Sequence, residues 1–118
     1  MTLYRRLGGA DAVARVVDLL YDRALADELV GPLFAGVDMA RLRAHQTDFL
    51  IAAIGGPERY EGAGLRAAHS HLRVDDARFD RMVQLLAEVL ADAGIDPALA
   101  DDVLGRVSRL RVAVVASV

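Results

Sequence analysis

The side chains best equipped for chemistry are few: His45, His69 and His71, together with Tyr21 and Gln46, which sit among apolar residues. No two histidines form an i, i+4 metal-binding pair, and there is no His-Glu-x-x-His motif, so a zinc hydrolase is unsupported. The chain has no Cys, which removes disulfides, thiol catalysis and Cys-based zinc or iron–sulfur sites together. A single imidazole suffices to hold a haem iron, whereas zinc demands three or four ligands. Haem is therefore the metal hypothesis that this set admits. All 14 basic residues are Arg and none is Lys, which removes Schiff-base chemistry. There is no Gly-rich phosphate loop after a strand and no Gly-x-Ser-x-Gly elbow, while Asp101 and Asp102 point about 100° apart on a helix and make a poor dyad.

Tyr21 lies on an apolar helical stripe. Its hydroxyl is either satisfied as in an ordinary core tyrosine or aimed as a donor into a cavity. Gln46 also falls mid-stripe, where an amide left without partners costs on the order of 1 to 3 kcal/mol. It needs a partner.

The elements that must position these residues read as helices. One hundred and eighteen residues at 12.7 kDa fit a single domain spanning 1–118. Hydrophobic residues at 54% exclude a disordered tail, and no apolar run reaches the roughly 20 residues of a membrane helix. A net charge of -3 and pI near 5.5 leave no basic footprint for nucleic acid or an anionic membrane surface. The N-terminus has no signal-peptide pattern, so a cytoplasmic protein is expected.

The first stripe comprises Val13, Val16, Val17, Leu20, Tyr21 and Ala24, begins after Gly8 and Gly9, and breaks at Gly31 and Pro32. Asp38 can cap a second stripe of Leu42, Gln46, Phe49, Leu50, Ala53 and Ile54, stopped by Gly55, Gly56 and Pro57. A short run covers Leu65 to Leu72. Asp75 or Asp76 caps Phe79, Met82, Val83, Leu86, Val89 and Leu90, and Gly94 ends that helix. Asp96 and Pro97 start a last one through Ala100, Val103, Val107, Leu110 and Val114. Only six aromatics serve the chain, so its core of small aliphatics can leave a central volume for an apolar cofactor. The loop from Gly55 to Gly64 is too long for a minimal connection and must be held by something.

In this order the chain resembles the truncated haemoglobins of group I over nearly all its length. The resemblance rests on Leu3, Tyr4, Leu7, Gly8 and Gly9, then Tyr21, Phe34, His45-Gln46, Gly55-Gly56-Pro57, Tyr60, Gly62 and His69. The run GGPERYEGAGLRAAH is its most specific part. The resemblance implies an all-α, two-over-two helical sandwich enclosing haem b, with a reduced first helix and a proximal-histidine segment that is mostly loop. It implies His69 as the proximal iron ligand, with His71 as the fallback. Tyr21 and Gln46 become the distal pair that hydrogen-bonds a bound ligand, and Phe34 packs on the haem face. Leu42 occupies the position held by His in oxygen-storage globins. Leu50, Tyr60, Arg73 and Phe79 complete the expected cofactor contacts, with Arg41, Arg43, Arg66 and Arg73 as candidates to pair with the propionates.

His45 is a departure. Many group I members have a long cation there facing a propionate, and some cyanobacterial ones have a His that binds iron. The resemblance implies reversible binding of O2, NO and CO, with oxidation of NO to nitrate as a possible enzymatic activity that needs a reductase. It also implies a monomer or weak homodimer, with no nucleic-acid or membrane partner. Two rivals are a six-coordinate haem protein for electron transfer or sensing, with His45 as second ligand, and a cofactor-free helical interaction module. Val and Ala around Leu42, Leu50 and Leu86 suit an apolar route for gas.

Overall fold

Each of the four main starts expected from the sequence carries its own side-chain or glycine signal. The computed structural model describes residues 2–55 and 74–111. Within them Thr2 accepts from the Arg5 N–H at 3.2 Å and opens α1 (Leu3–Leu7). Gly8, at φ +124°, ends it, and a Cβ there would stand 2.9 Å from the Ala12 Cβ. Only glycine fits that corner. It delivers the chain into α2 (Ala10–Ala26), whose buried face is the expected Val13, Val16, Val17, Leu20, Tyr21 and Ala24.

Asp27 closes α2 and organises the next corner. Its carboxylate accepts from the Leu29 N–H at 3.0 Å and the Val30 N–H at 3.1 Å, and Arg81 donates to it at 2.8 Å. The break expected at Gly31 and Pro32 is a short 3₁₀ turn, Gly31–Phe34, which buries Phe34. A Cβ on Gly31 would lie 2.9 Å from the Leu25 carbonyl oxygen, so two stretches of backbone meet there.

Asp38 accepts from the Arg41 N–H at 3.2 Å and starts α3 (Met39–Ala53), which buries Leu42, Gln46, Phe49, Leu50 and Ile51. Asp75 rather than Asp76 caps α4 (Asp76–Asp92), accepting from the Arg78 N–H at 2.9 Å. Asp96 caps α5 (Pro97–Ser108), with Pro97 at its first position. Three stripes differ from expectation. On α3, Ile51 is buried and Ala53 only half-buried. On α4, Leu85 is buried while Met82 and Val83 are only half-buried, because those two face a cavity; on α5, Leu99 is buried where Ala100 was expected to lead the stripe. Val114 and the short run from Leu65 to Leu72 lie outside the described residues, as does the loop beyond Gly55.

α2 packs against α3, and α4 packs against α5, while α2 also crosses α4 and thereby joins the two pairs. The expected two-over-two sandwich is what the chain builds. α1 docks on α5 and is tied to the end of α3, where the Tyr4 N–H donates to the Ile54 carbonyl at 3.0 Å. Among the described residues there is no strand, and no helix is long and apolar enough to cross a membrane.

Candidate functional site

The helix pairs do not close completely on each other. They leave between them an open cavity with an almost wholly apolar lining, the character of a small-molecule or cofactor site. Val17, Leu20 and Tyr21 of α2 form one wall, Leu33 and Phe34 of the 3₁₀ turn a second, and Gln46, Phe49 and Leu50 of α3 a third. Val74, Phe79, Met82, Val83 and Leu86 line the far side, with Val107 of α5 behind them. Twelve of these linings are apolar; Tyr21 and Gln46 are the two polar ones.

The structure therefore brings together five of the residues singled out from sequence: Tyr21, Phe34, Gln46, Leu50 and Phe79. Tyr21 is 5% exposed, and its ring meets Phe34 edge-on, with centroids 5.6 Å apart and planes at 80°. That contact fixes the ring, a geometry worth about 0.5–1.5 kcal/mol beyond area burial. Burial drives the phenol above its ordinary pKa, and the opposing pull of the Arg43 charge is the smaller effect. Tyr21 is therefore a protonated donor at neutral pH. Gln46, 9% exposed, is the buried polar residue of α3. No buried side-chain nitrogen or oxygen among the described residues lacks a hydrogen-bond partner, so its cost is met.

Leu42 and His45 fall elsewhere. Both line a second, more open recess with Gly36, Val37, Asp38 and Arg41, where Leu42 is buried and His45 is exposed. Gln46 lines this recess as well as the main cavity. Arg43 corrects an expectation. It was a candidate to pair with a propionate, yet its guanidinium turns to α2, donating to the Asp18 carbonyl at 3.0 Å and to Asp22 Oδ1 at 2.9 Å. Two carboxylates on the adjacent helix capture it, and they hold its charge firmly in place. His69, His71, Tyr60, Arg66 and Arg73 lie outside the described residues.

Sequence reasoning did not assign Phe49, Met82 or Val83 to the site, although all three were on its stripes. Phe49 stands three positions after Gln46 and so on the same face. The Met82-Val83 pair widens the α4 stripe beyond what packing on one neighbour uses.

The residues present fit a haem: deep apolar walls, the aromatic rings of Phe34 and Phe79, a hydroxyl donor inside, and a polar recess joined to the cavity at Gln46. The arrangement defines a globin of the two-over-two type. The chain belongs to the bacterial-like globin family, whose family model matches residues 2–116. Relatives at 30% identity or more include several named group 1 truncated hemoglobin. The chain is 40% identical over 106 residues to a group 1 truncated hemoglobin of Synechocystis, covering 86% of each chain. It is 36% identical over 101 residues to one from Tetrahymena pyriformis, covering 86% of this chain and 84% of the relative.

Solved structures agree. The truncated hemoglobin of Tetrahymena pyriformis in its Fe(III) form superposes with a TM-score of 0.89 at 32% identity, over 99% of this chain and 100% of that one. The 2/2 hemoglobin of a Synechococcus, in the cyanomet state with covalently attached heme, gives 0.88 at 37% identity, over 97% and 98%. Haem b is accordingly the cofactor of this chain, and haem-based binding of diatomic gases its coarse function.

Proposed function

We propose that the protein binds O2 reversibly in the main cavity, admits CO and NO to the same place, and converts NO to nitrate with O2 when a reductase restores the reduced state. The haem, when bound, supplies the iron that binds the gas and the redox capacity of that conversion. The chain's own residues supply polarity and exclusion of water. Tyr21, held against ionisation, offers one fixed O–H donor in an apolar space, where a hydrogen bond to a partly negative ligand is stronger than in water. Gln46, across the cavity on α3, either accepts from that hydroxyl and orients it or donates its own N–H to the ligand. This pairing of an un-ionised phenol and an amide in an otherwise apolar cavity is the observation that carries the reading.

His69 is assigned as the iron ligand from the family motif, five positions in sequence before the cavity-lining Val74. Phe34, Leu50, Tyr60 and Phe79 are assigned as cofactor contacts, Leu42 as a neighbour at the recess side, and Arg73 as a propionate partner. His45, exposed beside Arg41 at the recess, is assigned as a propionate partner rather than an iron ligand. The reading takes residues 1–118 as one cytoplasmic domain, monomeric or weakly dimeric.

The absorbance spectrum of freshly purified protein is the test. A Soret band at one haem per chain, lost or loosely retained in His69→Ala, is expected. Loss in His71→Ala instead shifts the ligand by two residues. A reduced protein that is mainly low-spin, and becomes five-coordinate in His45→Ala, replaces gas chemistry with electron transfer or sensing.

A further inference from the structure

Arg43 stands one helical turn before Gln46 on α3, and its guanidinium crosses to α2. Nη1 donates to the Asp18 carbonyl oxygen at 3.0 Å and to Asp18 Oδ1 at 3.4 Å, while Nη2 donates to Asp22 Oδ1 at 2.9 Å. On α2 these acceptors bracket Tyr21: Asp18 lies one turn before it and Asp22 directly after it. The carbonyl contact matters most, because it gauges the main chain of α2 and not merely a rotamer.

The Asp22 contact adds direction. A planar fork held at both nitrogens fixes an angle as well as a distance, which an ammonium cannot do. With a side chain only 22% exposed, Arg43 is also partly sheltered from the screening that weakens surface pairs. Its charge reaches the phenol as well, since it opposes the effect of burial on Tyr21.

We propose that Arg43 is a positioning residue: by clamping α3 to α2 on both sides of Tyr21, it sets the separation and mutual aim of Tyr21 and Gln46, and so the preference between gases of different polarity. The proposal rests on the assignment of those two residues to the bound ligand. It predicts that breaking the clamp acts on O2 and CO unequally, as a general loosening of the fold does not.

The experiment uses the haem-loaded protein and compares wild type with Tyr21→Phe, Arg43→Met, Arg43→Lys, Asp22→Asn and the Tyr21→Phe/Arg43→Met double variant. Four quantities are read for each: O2 dissociation rate, CO dissociation rate, the stretching frequency of CO held in the pocket, and the thermal unfolding midpoint. Arg43→Met is expected to speed O2 release about five- to tenfold, the equivalent of one misaimed hydrogen bond, with CO release changed less than about twofold. The CO band should shift or broaden in the same variant. Adding Arg43→Met to Tyr21→Phe should change the O2/CO ratio much less than Arg43→Met does alone, because one of the two groups being aimed is already gone. Arg43→Lys should fall between wild type and Arg43→Met, since its ammonium keeps the charge without the fork.

A lowered unfolding midpoint with the ratio and the CO band left at wild-type values, while Tyr21→Phe changes both, overturns the proposal and makes the clamp a stabilising contact alone. If Arg43→Met does not fold, Arg43→Lys and Asp22→Asn are judged by the same two readouts. A Tyr21→Phe variant that itself leaves the ratio unchanged sinks the assignment of Tyr21 to the ligand, and the proposal falls with it.

Discussion

Tyr21 owes its geometry and its proton to its neighbours. Phe34 holds its ring edge-on, and burial keeps its proton in place. Tyr21→Phe removes the donor and little volume, so O2 release should quicken about tenfold while CO release changes far less, as stopped-flow displacement of each gas would measure. Because the phenol pKa is raised, the protonated form persists, and wild-type O2 release should stay level from neutral to mildly alkaline pH. A step in that range that vanishes in Tyr21→Phe contradicts the buried donor. At this scale the sequence was legible for Tyr21 and Gln46, since each was a polar residue where the stripe required an apolar one. Arg43 was not legible. Its spacing on α3 equally suits a cofactor partner or an ion pair, and the acidic residues that decide between them sit 25 and 21 positions away. Leu42 and His45 show the same limit: helical spacing fixes their angle around α3 but not which of two adjoining spaces that angle meets.

The helices announce their starts through Asp38, Asp75 and Asp96, each of which accepts from the N–H three residues on, and these were readable because capping is local. The corner after α2 is not local. Asp27 joins its own turn to Arg81 of α4, 54 positions away, and the Arg81 hydrogen bond, followed by the Val30 N–H, holds its carboxyl below the usual carboxylate range. A depressed carboxylate contributes stability above its unfolded pKa and loses it as pH falls through the folded value. Asp27→Asn should accordingly lower the unfolding midpoint at neutral pH, with the gap from wild type narrowing below about pH 4 in thermal melts followed by circular dichroism. Gly31→Ala tests the backbone contact at the same corner. A methyl group 2.9 Å from the Leu25 carbonyl must displace main chain, a strain of about 1–3 kcal/mol that urea unfolding would register. The Gly31-Pro32 break was visible in the sequence, but the crossing that forbids a side chain there was not.

For the molecule as a whole, the cavity is a deficit that the cofactor fills. Small aliphatic side chains pack α2 against α3 and α4 against α5, yet leave an apolar cavity open between them. A ligand that binds only the folded state stabilises it by mass action, so extracting the haem should lower the thermal midpoint, and adding it back should restore it in proportion to free haem. Equal melts with and without haem contradict a cavity built for it. The shortage of aromatics made that volume foreseeable, while its shape depends on how two helix pairs cross, which no local pattern records. The position of Gln46 has a consequence for the interior's dryness. Among the described residues it is the one side chain that borders both the apolar cavity and the open recess beside His45 and Arg41. The two spaces thus adjoin at Gln46. Water standing in the recess can be held by that amide at the threshold, while the apolar walls beyond offer it almost nothing to bond. An amide at that junction is a threshold for solvent: trimming Gln46 to alanine would let water in the recess reach the apolar cavity more freely.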